Sequence, residues 1–179
     1  MFKGEKIYLR PFEQEDLLTV TKWFSDSEIL GLIGENKPSS LKDIEKHFEK
    51  IRNDDSRRWF AICRIDNNKL IGECGLLRIY FPWRTSDLTM IIGEKDEWGK
   101  GYGREAIKLL LDYAFFYLNL NRIAIGVVGF NQRAIKFYSR IGFVKEGVQR
   151  DGYFFNNEYH DFIMMSFLKR EYTVNKETD

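Results

Sequence analysis

The chain has 179 residues, 44% hydrophobic and 31% charged, enough for one buried core but short for two, so a single domain over residues 1–179 is expected, ending in a polar tail. Its 28 basic and 27 acidic side chains leave a formal charge of +1 with no dense Lys/Arg patch, which argues against a nucleic-acid binder. No window is apolar enough to cross a bilayer, the charged start Met1-Phe2-Lys3-Gly4-Glu5-Lys6 is not an export signal, and Cys63, Cys74, His47 and His160 lack disulfide-scaffold or metal-ligand spacing, so a cytoplasmic protein without a metal is expected.

A short strand, Ile7-Tyr8-Leu9-Arg10, stops at Pro11, and an acidic first turn then opens a helix from Glu13 to Phe24. Residues Ser25 to Ser39 carry Gly31, Gly34 and Pro38 with little periodicity and read as a mobile loop. Ser39 or Ser40 then caps a helix that runs to Ile51. The run Trp59-Phe60-Ala61-Ile62-Cys63-Arg64-Ile65 is apolar on both faces, as a central strand covered on two sides would be. Asp66-Asn67-Asn68-Lys69 turns it into strands Leu70 to Ile79 and Asp87 to Gly93, joined by the aromatic loop Tyr80-Phe81-Pro82-Trp83-Arg84.

The long helix, Gly103 to Leu118, presents Ile107, Leu110, Leu111, Ala114, Phe115 and Leu118 as one apolar stripe that must pack on the sheet. Arg122 to Val128 reads as a strand, Gln132 to Ile141 as a short helix and Phe143 to Gln149 as a strand. A final hairpin turns at Asn156-Asn157 into Glu158 to Leu168, and the tail after Glu171 is polar and expected to fray. The expected fold class is α+β, a mixed and mostly antiparallel sheet of about seven strands with helices on both faces.

Chemistry concentrates where a strand, a glycine-rich turn and a helix follow one another. Met90-Ile91-Ile92-Gly93 leads through a short acidic linker into Trp98-Gly99-Lys100-Gly101-Tyr102-Gly103-Arg104 and the long helix. Glycines admit close backbone approach and the first turn of a helix offers free N–H groups with a positive dipole end, so this turn is a candidate pyrophosphate cradle. The same glycines also suit a plain surface turn. The nucleotide P-loop pattern is absent, since no Ser/Thr follows Lys100.

A second stretch, Asn131-Gln132-Arg133-Ala134-Ile135-Lys136-Phe137-Tyr138-Ser139-Arg140-Ile141-Gly142-Phe143, makes the reading specific. Together the two stretches resemble the GNAT superfamily of N-acetyltransferases, with its [QR]xxGx[GA] turn and NxxAxxxYxxxGF segment. Trp98 stands where that family has Gln or Arg; because the cradle works through backbone N–H groups, the change falls on packing at its rim. The ending, from Phe143 to Val148 and from Tyr153 to Asp161, resembles the branch of ribosomal-protein N-terminal acetyltransferases and bacterial spermidine acetyltransferases.

The resemblance implies acetyl-CoA as co-substrate, held at Ile91, Ile92, Trp98, Gly99, Lys100, Gly101, Tyr102, Gly103 and Arg104. Met90, Ile91 and Ile92 correspond to the splayed strand that pairs with the pantetheine arm, and an N–H near Ile92 would polarise the thioester carbonyl. Tyr138 corresponds to the general acid that protonates the leaving thiolate, although a packing role on the helix is open. Asn131 either bonds the pantetheine or caps its own helix, and Arg104 and Arg133 either meet phosphates or are solvated. For the base, Asp87, Glu73 and Glu94 lie on or near central strands and spacing selects none; Asp87 is the leading choice. The implied acceptor is an amine, a protein N-terminus ahead of a small polyamine, with an aminosugar and a non-catalytic acyl-CoA-binding role as alternatives. The Ser25 to Ser39 and Tyr80 to Arg84 loops are expected to shape its pocket, and a homodimer is allowed.

Overall fold

A computed structural model describes residues 1–176, with side chains through Tyr172. Its eight strands, β1 (Phe2–Lys3), β2 (Ile7–Arg10), β3 (Arg58–Arg64), β4 (Leu70–Tyr80), β5 (Thr85–Ile92), β6 (Arg122–Val128), β7 (Val144–Phe155) and β8 (Glu158–Leu168), form one sheet in the order β1-β2-β3-β4-β5-β6-β8-β7. Every neighbouring pair is antiparallel except β5 and β6. The strand missing from the expected seven is β1, whose two residues are too few to show a period.

Among the described residues six α-helices accompany the sheet: α1 (Leu17–Trp23), α2 (Ser27–Ile33), α3 (Leu41–Arg52), α4 (Tyr102–Asp112), α5 (Gln132–Ile141) and α6 (Lys169–Lys176). Two apolar clusters result. In one, Ala106, Ile107, Leu110 and Leu111 of α4, continued by Ala114 and Phe115, pack with Tyr138 and the strands; in the other, Leu17, Val20 and Trp23 of α1 meet Ile29 and Ile44. Burial of consecutive β3 residues, Phe60, Ala61, Ile62 and Cys63, follows from cover on both sides.

Several local expectations change. The helix expected from Glu13 begins as a 3-10 turn over Gln14–Asp16, where Asp16 is tied bidentately to Arg10 at 2.6 and 2.8 Å. Within Ser25 to Ser39 lies α2, capped by Asp26, whose carboxylate accepts from the N–H groups of Glu28 and Ile29, and ended by left-handed Gly34. The long helix passes into a π turn over Tyr113–Tyr117, closed by Leu118 N–H donating to Tyr113 O at 3.0 Å. Strand β7 runs on to Phe155 across two register shifts, with Asp151 in the left-handed region. The tail expected to fray from 171 instead forms α6, where buried Tyr172 donates its hydroxyl to Asp112 Oδ1 at 2.9 Å; residues 177–179 lie outside the described residues. No helix among the described residues is long and apolar enough to cross a membrane.

Candidate active site

Strands β5 and β6 pair only from Thr85 to Asp87 and from Arg122 to Ala124. Beyond that point β5 continues on β4 to Ile92 and β6 continues on β8 to Val128. The two strands therefore diverge, and the gap opens into a cleft of about 780 Å³ lined by Leu88 to Ile92, Ile125 to Val128, the glycine turn, α5 and α2. Antiparallel ladders alternate the side to which backbone groups point. Gly93 N–H donates to Ile71 O at 2.9 Å, and Ile91 O faces Gly72 closely enough that a Cβ there would stand 2.3 Å away. The odd residues of β5 thus face β4. The backbone groups of Met90 and Ile92 face the cleft, whereas Ile91 turns its carbonyl to β4 and packs its side chain into the α1 and α2 cluster.

The glycine turn sits at the mouth of this gap. Gly99 and Gly101 have φ of +78° and +90°, and a Cβ on either would meet nothing within 4 Å, so the concave side of the turn is open. Gly101 occupies the N-cap of α4 without any side-chain cap, leaving the first-turn N–H groups, those of Tyr102 and Gly103 among them, without a capping acceptor. A Cβ on Gly103 would stand 3.2 Å from Met90 Cε, and the Tyr102 ring is buried with Arg64 above it at 5.7 Å.

Trp98 does more than fill the rim: its indole donates to Ile92 O at 2.7 Å, and the Arg133 guanidinium lies 5.0 Å from its ring centroid. Arg104 is exposed on the cleft wall. Lys100 instead bonds Glu97 Oε2 at 2.9 Å, behind the turn, and does not line the cleft. Glu97, buried between Lys100 and Arg64, is held down to about 2 by the Lys100 hydrogen bond and then by Arg64. These ion pairs brace the turn from below.

On α5, Tyr138 lines the cleft at 5% exposure, edge-on to Phe137 and Phe143. Burial pushes its phenol above the ordinary tyrosine range, with the Cys74 thiol adding to the effect. Asn131 accepts from Ala134 N at 3.0 Å, so it caps α5, and its Nδ2 donates to Leu32 O of α2 at 2.9 Å. Both side-chain groups are therefore engaged within the protein.

Asp87 lies elsewhere. It pairs with Arg78 in the segment where β5 and β6 are still joined, and it does not line the cleft. Glu94 accepts from Trp23 Nε1 at 2.9 Å and meets Lys69 at 3.0 Å. Of the three candidate bases, the one that lines the cleft is Glu73 of β4, 2% exposed and pushed up to about 7 by burial. Strand pairing decides this: antiparallel register places Glu73 opposite Ile91, beside the open part of β5, and Asp87 opposite Leu77, at its closed end. The aromatic loop Tyr80 to Arg84 is at the closed end too and lines no part of the cleft. Residues that sequence reasoning missed are Trp59 and His47, which line the cleft beside Glu73, and Glu35, just past α2. A lone carboxyl in the otherwise apolar run Leu70 to Leu77 was the available signal for Glu73; none marked His47.

Over residues 6–144 the chain matches the acetyltransferase (GNAT) domain family. It is 30% identical to the spermidine N(1)-acetyltransferase of Vibrio cholerae, over 97% of this chain and 99% of that one. It is 31% identical to the uncharacterized N-acetyltransferase p20 of Bacillus licheniformis, over 94% and 96%. The crystal structure of the Vibrio cholerae spermidine N-acetyltransferase in complex with CoA and spermine aligns with a TM-score of 0.87 at 30% identity, covering 93% of this chain and 98% of that one.

Proposed function

The chain belongs to the acetyltransferase (GNAT) domain family, and on that premise we propose that the amine it acetylates is a small polyamine. Acetyl-CoA is the co-substrate and an amine the acceptor. The observation that carries the polyamine reading is the separation of charge along the cleft. Arg104, Arg133 and Arg140 stand at the end formed by the glycine turn and α5, where the one acidic lining residue, Glu97, is already paired with Arg64 and Lys100, while Glu35 and Glu73 stand at the end formed by α2 and β4. A polyanionic donor and a polycationic acceptor would enter from opposite ends. The likeness to spermidine N(1)-acetyltransferases over nearly the whole chain supports the same acceptor class.

The residues present suit acetyl-CoA. The open glycine cradle and the uncapped start of α4 would take its pyrophosphate, with Arg104 and Arg133 beside them. The backbone groups of Met90 and the N–H of Ile92, facing a gap with no strand in it, would pair with the pantetheine amides and polarise the thioester carbonyl. The amine nitrogen attacks that carbonyl carbon, the C–S bond breaks, and Tyr138 delivers its phenolic proton to the departing thiolate. A phenol kept neutral by burial is in the right form to donate. Asn131 holds α2 against α5 and so sets the width of the acceptor end.

A thiol-release assay with acetyl-CoA tests the acceptor class. Spermidine and spermine are expected to give a kcat/KM at least tenfold above that of peptides with a free N-terminus and of an aminoglycoside. A peptide or aminoglycoside preferred over both polyamines would overturn the polyamine reading.

A further inference from the structure

Beside Glu73 the cleft holds polar groups that the protein leaves unsatisfied. Glu73 Oε2 and Trp59 Nε1 are both buried without a hydrogen-bond partner among the described residues. Buried polar groups are nearly always paired, and an orphan is destabilising, so two orphans in one cleft mark a place built for a reacting group. The Trp59 indole is seated over Gly75, where a Cβ would stand 2.6 Å from its ring, so that glycine fixes the indole in place. Its N–H lies near enough to favour the Glu73 carboxylate without closing a hydrogen bond. Next in line is His47 of α3, exposed to solvent, its ring edge-on to Trp59 at 6.0 Å and lining the same cleft.

We propose that Glu73 takes the proton of the acceptor ammonium, with Trp59 positioning its carboxylate and His47 carrying the proton out to solvent. The inference rests on the transfer of acetyl to an amine, whichever amine is the best acceptor. An ammonium must lose two protons to become an amide. One leaves before attack, to the Glu73 carboxylate, and frees the nitrogen lone pair. The second leaves the nitrogen after the N–C bond has formed and replaces the proton that Tyr138 gave to the thiolate. Each turnover therefore releases one net proton, held at that point by a carboxyl that is 2% exposed. His47 is the exit. Burial, then the charges of Arg57 and Lys50, hold its imidazole below the usual range, so it is neutral and able to accept, and the same two cations favour onward release. No cation is among the causes that act on Glu73; desolvation and Trp59 set its affinity for the proton, and Cys74, on the next residue, stays a neutral thiol.

Three variants test the unit at low buffer concentration with the best amine acceptor found. His47→Ala is expected to lower kcat about tenfold or more with unchanged KM for acetyl-CoA, and added imidazole is expected to restore it in proportion to its concentration. Trp59→Phe keeps the ring over Gly75 and removes only the N–H, so the rising limb of the kcat pH profile should move up by about half a pH unit. In Glu73→Gln that limb should vanish. Infrared titration of the carboxyl band absent from Glu73→Gln reads the same group without any acceptor. It should titrate near neutrality in the wild type and higher in Trp59→Phe. Spermidine failing where another amine is acetylated would count against the polyamine reading and leave these measurements to run on that amine. The proposal is overturned by a full kcat in His47→Ala, by a loss that imidazole does not repair, or by a Glu73 band in the ordinary carboxylate range.

Discussion

Asn131 joins the two walls of the cleft: its Nδ2 donates to Leu32 O at 2.9 Å, while its Oδ1 accepts from Ala134 N at 3.0 Å. Substitutions can separate these two bonds. Asn131→Asp retains a good N-cap but has no donor for Leu32, so stability should change little while the KM for the amine rises severalfold. Asn131→Ala loses both bonds and should cost about 1 kcal/mol of stability in addition. Urea unfolding and amine-saturation kinetics on both variants measure the split, and an Asp variant with unaltered KM would show that the strap to α2 has no part in shaping the acceptor end.

Tyr138→Phe preserves the ring packed against Phe137 and Phe143 and removes only the hydroxyl. Fold and CoA affinity should be retained, and turnover should fall by about 10²–10⁴-fold. Acyl donors with more acidic thiols should suffer less, because they need less help in leaving. Full activity of the variant with acetyl-CoA would identify Tyr138 as a packing residue.

The cradle can be tested through Gly101, whose φ of +90° and open surroundings combine two requirements. Saturating acetyl-CoA at 100 times its Kd should stabilise the wild type by about 2.7 kcal/mol, seen as a rise in Tm. In Gly101→Val a β-branched side chain must occupy the left-handed region and project into the open concave side. The ligand-induced rise should shrink or disappear in a protein that still unfolds cooperatively. An equal rise in both proteins would reduce this glycine to a turn former.

Glu73 also makes stability depend on pH. Its carboxyl is near 7 when folded against an ordinary 4.5, so between those values the native state holds a proton that the unfolded chain releases. This contribution is fully present below 4.5 and is lost as pH rises through about 7. The loss amounts to about 3 kcal/mol. Glu73→Gln removes the ionisation, so it should be more stable than the wild type by that amount at pH 8.5 and no more stable at pH 4. Urea unfolding of both proteins at the two pH values decides the matter: a difference that does not vary with pH would place the carboxyl in water.

Much of the fold was legible in the sequence because it is locally encoded. The bounds Arg122–Val128, Gln132–Ile141 and Glu158–Leu168 follow from periodicity, caps and the Asn156-Asn157 turn, each set by neighbours a few residues away. Even α2 had local marks, Asp26 before it and Gly34 after it, hidden by a seven-residue length and by Gly31 within. The glycine turn and the Asn131 to Phe143 pattern were also readable as a motif. What the sequence by itself did not determine is which carboxyl lines the cleft. Asp87 and Glu73 sit on adjacent strands with similar flanks, and only the point at which β5 and β6 part company separates them. The same is true of Trp59 and His47, brought beside Glu73 by the register of β3 on β4 and by α3 packing across it. Local sequence sets the period of a strand, but the face and end of a sheet where a ligand fits arise from pairing between distant segments, and that is decided only when the whole core is assembled.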